Sequence, residues 1–124
     1  MELTQVIRTD RQVIERYAAE GFRVSGVIYR APILVFPDRT ILWQVATAAD
    51  IDSVSLAPVI EHGGVEILLL GLGRSMPPIS AAVRTSMRAA RIALEPMDTG
   101  AACRTYNVLV AEDRRVAAAL IPPV

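Results

Sequence analysis

Hydrophobic and polar positions change rhythm along this chain, and the densest apolar stretch is Val65-Glu66-Ile67-Leu68-Leu69-Leu70, which runs into Gly71-Leu72-Gly73-Arg74. A nearly unbroken apolar run bounded by glycines predicts a strand covered on both faces, with the chain leaving the sheet at the glycine turn. The chain before this run has a different texture. Residues 10–19 place Val13, Ile14 and Tyr17 on one side of a short helix that Thr9-Asp10 can cap and Gly21 can end. An irregular arm lying on the sheet is the alternative for the same stretch. Residues 23–30 alternate, Ala31-Pro32 breaks the run, and Ile33-Leu34-Val35-Phe36 follows, which predicts two β segments joined by a tight turn. Pro37-Asp38-Arg39-Thr40 is a second turn before a third β segment, Ile41-Leu42-Trp43-Gln44-Val45-Ala46. The N-terminal third therefore reads as an antiparallel β excursion.

The period shifts after Ala48. Asp50 or Asp52 can cap a short helix whose regular part spans 57–62, with Pro58 in the first turn and Gly63-Gly64 as the stop. Beyond the central strand, Met76-Pro77-Pro78 leads into a helix over 79–90, with Ile79, Val83 and Met87 as its inward stripe. Arg84, Arg88 and Arg91 fall off that stripe and read as a solvated face. Residues 92–95 form a short strand, and Pro96-Met97-Asp98-Thr99 forms a loop in which Asp98 or Thr99 caps a helix running to about Val110. Residues 115–121 form the last strand, stopped by Pro122-Pro123. Strand, helix, strand, helix, strand requires a partly parallel sheet with helices on its faces. The expected fold is α/β and three-layered, with a mixed, mainly parallel central sheet and an added β layer. The 124 residues suit one domain, 1–124.

Composition narrows the functional classes. Hydrophobic residues make up 52% of the chain, enough for a dense core. The 13 bases, all arginine, balance 13 acids, which argues against broad nucleic-acid binding, since that needs a basic surface to neutralise phosphates. Without lysine, Schiff-base chemistry, a lysine general base and a Walker-type phosphate lysine are all excluded. One cysteine and one histidine, Cys103 and His62, cannot build a zinc site of the usual kind. A membrane span needs about 20 apolar residues, which no stretch supplies. Acids interleaved with bases from Glu2 to Glu20 fit neither a signal peptide nor a mitochondrial presequence. The expectation is a soluble cytoplasmic protein without cofactor, metal or catalytic residue.

Two loops carry the candidate chemistry. Gly71-Leu72-Gly73-Arg74-Ser75 follows a strand and precedes a helix, where α/β sheets bind anions, but Met76 stands where the dinucleotide fingerprint needs glycine. A structural tight turn is the stronger reading. Met97-Asp98-Thr99-Gly100 with Arg104, Tyr106 and Asn107 opens the next helix, so its amides and those of the first loop should gather at one sheet edge. Asp98 at the cap should occupy part of that donor capacity and repel a ligand anion. The candidate ligand- or partner-binding residues are Gly71, Gly73, Arg74, Asp98, Thr99, Arg104, Tyr106 and Asn107. Cys103 lacks a base and reads as a small apolar packing residue. Trp43 and Tyr29 read as core aromatics.

Gly21-Phe22-Arg23-Val24-Ser25-Gly26 with Tyr29, Leu68-Leu69-Leu70-Gly71-Leu72-Gly73, and Met97-Asp98-Thr99 through Ala101-Ala102 to Thr105-Tyr106-Asn107 resemble one family over about residues 14–121. It is the Mth-type family of small α/β domains that includes a mitochondrial respiratory complex I assembly factor and an adipogenesis-associated protein. The family often has threonine between the two glycines where this chain has Leu72, so a role for that threonine does not carry over. The resemblance implies the three-layer fold, no established enzyme activity, and action by binding protein partners; it implies a mitochondrial setting by analogy alone, and the missing presequence looks like a bacterial relative. The leading expectation is a non-catalytic interaction or assembly module. The alternative is a small-molecule or anion-binding protein, possibly an enzyme, using the cleft between loops 71–75 and 97–104.

Overall fold

The computed structural model describes residues 10–123. Three strands, β1 (Ile14–Ala18), β2 (Gly21–Val24) and β3 (Val27–Tyr29), form an antiparallel sheet in that order. β4 (Ile33–Val35) and β5 (Thr40–Leu42) then join a larger sheet. After a 3-10 turn at Ala48–Asp50 come α1 (Ala57–His62), β6 (Ile67–Leu72), α2 (Ala81–Ala89), β7 (Ala93–Met97), α3 (Thr99–Ala111) and β8 (Val116–Ile121). The larger sheet has the order β5-β4-β8-β6-β7. β7, β6 and β8 run parallel, while β4 pairs antiparallel with β8 and with β5. The last strand of the chain thus lies at the centre of the sheet.

Alternation of side chains splits the core in two. Leu68, Leu70 and Leu72 of β6 and Ala117, Ala119 and Ile121 of β8 face α1 and α2, packing with Leu56, Val59, Val83, Met87, Phe36 and Trp43. Leu69 of β6 and Val116, Ala118 and Leu120 of β8 face the other way, toward Cys103, Tyr106 and Val110 of α3 and Ile14, Phe22 and Val24 of the small sheet. The small sheet therefore lies beside α3 on one face of the large sheet, with β1 against the helix, and α1 and α2 cover the other face. Ala117-Ala118-Ala119 sits between larger neighbours, with Leu34 and Leu70 flanking Ala119 and Val35 and Leu69 flanking Ala118. Small residues in the central strand let both layers close onto the sheet without overfilling it.

Several expectations change. The stretch 10–19 is not a helix: it holds strand β1, and Thr9 lies outside the described residues. Pairing with β2 and two bonds to the Asn107 amide outweigh a weak helical period; Asn107 Nδ2 donates to the Ile14 carbonyl at 2.7 Å, and Ile14 N–H donates to Asn107 Oδ1 at 2.9 Å. Gly21 does not end a helix but opens β2 at φ +143°, where a Cβ would come within 2.0 Å of the Tyr29 carbonyl oxygen. The run 23–30 is not one segment but part of a hairpin turning at Ser25-Gly26, both at positive φ (45° and 86°), the geometry of a two-residue turn. The third β segment shrinks to Thr40–Leu42, because Trp43 turns into the core with its Nε1–H donating to the Ser55 carbonyl at 3.0 Å. The antiparallel excursion is also smaller than expected, since β4 and β5 belong to the central sheet. Asp50 and Asp52 do not cap one continuous helix: Asp50 closes the 3-10 turn, and a separate turn precedes α1. The central strand runs two residues further than expected, so Gly71 pairs inside β6 and is not part of the turn. Pro96 lies within β7, which tolerates it because β7 is an edge strand and needs no outward N–H.

Candidate functional site

Parallel β6, β7 and β8 end at one edge of the large sheet, which brings together the loop after β6, the start of α3 and the chain beyond β8. Thr99 joins all three. It is fully buried, its Oγ1 donates to the Ile121 carbonyl at 2.5 Å and accepts from Gly73 N–H at 2.7 Å, and its own N–H donates to the Gly73 carbonyl at 3.0 Å. Gly73 meets Thr99 at φ +78°, a conformation glycine adopts without strain. Gly71 serves the approach of α3: a Cβ there would lie 2.9 Å from Leu120 Cδ2 and 3.2 Å from the Ala102 Cβ and the Thr99 Cα. Asp98 caps α3 by accepting from Ala101 N–H at 2.9 Å. The amide donors that sequence spacing gathers here are thus largely engaged by the protein's own groups.

What remains open is a wide depression of about 650 Å³ rimmed by Gly73, Arg74, Asp98, Gly100, Arg104 and Tyr17. Arg74 is exposed and has no hydrogen-bond or ion-pair partner among the described residues. Arg104 Nη1 donates to Tyr17 Oη at 2.7 Å. Tyr17 comes from β1 and packs against the first turn of α3 where Gly100 leaves room, since a Cβ on Gly100 would sit 3.1 Å from Tyr17 Oη. Sequence reading missed Tyr17, because nothing local to residues 14–18 reveals that β1 packs along α3. Two guanidinium groups and a phenol against one capping carboxylate favour a carboxylate or backbone carbonyls as the visiting group. The depression is open and shallow, unlike the enclosed pockets that hold small ligands.

Other candidates lie elsewhere. Tyr106 is buried, donates its hydroxyl to the Gln12 carbonyl at 3.0 Å, and has its pKa pushed up by burial. Asn107 is bonded to both backbone groups of Ile14, so both residues fasten the small sheet to α3. Cys103 is buried beside them, and burial pushes its thiol up to about 12, leaving it protonated at neutral pH. His62 lies at the other end of the sheet, stacked on Phe36 at 4.2 Å, with Nε2 2.7 Å from Asp38 Oδ1. The hydrogen bond from His62 holds the Asp38 carboxyl below the usual range. Among the described residues no three His, Cys, Asp or Glu side chains converge on a possible metal site, and no helix is long and apolar enough to cross a membrane.

Comparison with known proteins gives a consistent picture. Residues 14–121 match the model of the family described as protein of unknown function, DUF498/DUF598. The chain is 38% identical over 116 residues to a Drosophila melanogaster protein named NADH dehydrogenase [ubiquinone] 1 alpha subcomplex assembly factor 3. That match covers 90% of this chain and 59% of the fly protein, so the chain spans about three fifths of that relative's length. Among solved structures, an outer membrane protein from Bartonella henselae aligns at a TM-score of 0.84 and 32% identity, covering 92% of this chain and 97% of its own. A Mth938-like domain of Bordetella pertussis aligns at 0.86 and 27% identity, covering 99% and 93%.

Proposed function

The chain belongs to the DUF498/DUF598 family, and from that membership we propose that it is a non-catalytic protein-interaction domain that acts in assembling a multisubunit complex of the respiratory NADH dehydrogenase type. The observation that carries this reading is the 38% identity, over 90% of this chain, to a relative named as an assembly factor of that complex. The depression rimmed by Arg74, Arg104 and Tyr17 is the proposed point of contact. Its open shape suits a carboxylate or exposed backbone presented by a protein, and the chain acts there by binding rather than by a chemical step. Thr99, Asp98 and Gly71 shape the rim from within, while Arg74 and Arg104 touch the partner.

A second reading draws on the two guanidinium groups at one depression: they could hold a small anion instead. Purification of the intact chain from native extract, with mass spectrometry of what travels with it, tests the proposal. Subunits or assembly factors of the NADH dehydrogenase should be enriched over a control bait. An absence of such enrichment, together with a thermal midpoint raised by phosphate or a dicarboxylate and lost in Arg74→Ala, would move the assignment to the anion-binding reading.

A further inference from the structure

The small sheet carries a surface that the depression does not explain. Its inner face packs Phe22 and Val24 onto α3 and the large sheet. Its outer face lines up Arg16, Arg23 and Ile28 on adjacent strands, since Arg16 stands opposite Arg23 and Arg23 opposite Ile28. Arg30 extends this row, and Ala18 and Gly21 leave a shallow groove of about 240 Å³ beside it. Like charges directly opposite across a strand pair oppose folding. Here only Arg23 meets a carboxylate, Glu15 Oε1 at 3.3 Å, while Arg16 and Arg30 have no partner among the described residues. Glu20 is the acid that lines the groove. In a chain whose charges balance, this face keeps a surplus of guanidinium around an isoleucine that is 61% exposed.

Among the described residues, nothing pairs with the outer edge of β3 in the same sheet. Val24 and Val27 flank a two-residue turn, so Val27 and Tyr29 direct their backbone groups at β2, while the N–H and C=O of Ile28 point outward. β7, at the edge of the large sheet, is blunted by Pro96. β3 carries neither proline nor a charged residue, and Val27 is 53% exposed beside Ile28. An added strand would find backbone partners at Ile28 and side-chain partners at Arg30 and Arg23.

We propose that β3 and the outer face of the small sheet accept an extended acidic and apolar segment of a partner protein, added as a fourth strand beside β3. Main-chain hydrogen bonds to Ile28 supply the docking, and carboxylates of the segment meet Arg30, next to β3, and Arg23, one strand further in. A second copy of this chain is the poorer occupant, because pairing β3 with β3 would bring two arginine-rich faces side by side. The surface is separate from the Arg74 depression and stands whether or not that depression binds the native partner.

Amide-resolved NMR of the full chain tests this with two capped synthetic hexapeptides, one alternating glutamate and valine, the other lysine and valine. The acidic peptide should shift the Val27, Ile28 and Arg30 amides, slow exchange at Ile28, and bind about tenfold more tightly than the basic one. The double variant Arg23→Glu, Arg30→Glu changes exposed positions only and should reverse that preference with the signals of the large sheet unchanged. N-methylation of alternate peptide amides should abolish binding. Equal binding of the two peptides, shifts confined to residues 71–74 and 98–104, or self-association through β3 without peptide would each overturn the proposal.

Discussion

Thr99 shows how a single hydroxyl can hold a site together without belonging to its exposed surface. Bonded on one side to Gly73 N–H and on the other to the Ile121 carbonyl, it ties the ends of β6 and β8 to the first residue of α3. Replacing it with valine keeps the shape and strands two buried backbone groups, at about 1–3 kcal/mol for each unsatisfied group. Thr99→Val should therefore lower stability to denaturant clearly, whereas Thr99→Ser, which keeps the hydroxyl, should cost much less; equal losses in urea titrations would contradict the bonding described. Asp38 offers a pH test. Its folded pKa is held below the ordinary 3.8 by the hydrogen bond from His62, so its contribution is present above the unfolded value and lost as pH falls through the folded one. The gap in thermal midpoint between wild type and Asp38→Asn should be open at pH 5 and close toward pH 2.5; a gap that widens with acid would reverse the sign. Residue types told part of this story beforehand. Asp98 was legible as a cap because cap chemistry is local, but the threonine's two partners lie in other strands, and nothing near residue 99 names them.

At the scale of elements, long apolar or periodic runs were readable and short ones were not. β6, α1, α3 and β8 fall close to where periodicity places them, because each has a local cap, stop or glycine boundary. β1 was hidden because its stability comes from β2 and from Asn107, far along the chain. The hairpin at Ser25-Gly26 carried a turn signal that the alternation on either side obscured. Gly71 reads as a turn residue on sequence grounds and is instead a strand residue that lets α3 sit close, a requirement set by Leu120 and Ala102. The central role of β6 has a direct test. Leu69 is buried between the sheet and α3, and an aspartate there is an unpaired charge costing several kcal/mol against a total stability of about 5–15 kcal/mol. Leu69→Asp should abolish the cooperative thermal transition; an unchanged midpoint would show that this strand is not central.

The whole molecule joins these elements in a way that only tertiary structure reveals. The parallel arrangement of β6 and β7 followed from chain order and the handedness of crossovers. The placement of β8 between β4 and β6 did not, although its alanines and its burial at every position suit the middle of a sheet covered on both faces. Packing β1 of the small sheet along α3 brings Tyr17 to Arg104 and completes the depression beside Arg74. The proposed assembly role rests on that surface being used for partner capture and not for folding. The most direct measurement compares Arg74→Ala with Arg88→Ala, an exposed arginine on α2, for partner recovered per mole of bait and for unfolding free energy. Both variants should stay within about 0.5 kcal/mol of wild type, the usual range for surface changes. Arg74→Ala should lose partner capture while Arg88→Ala keeps it; full capture by Arg74→Ala at unchanged stability would contradict the account.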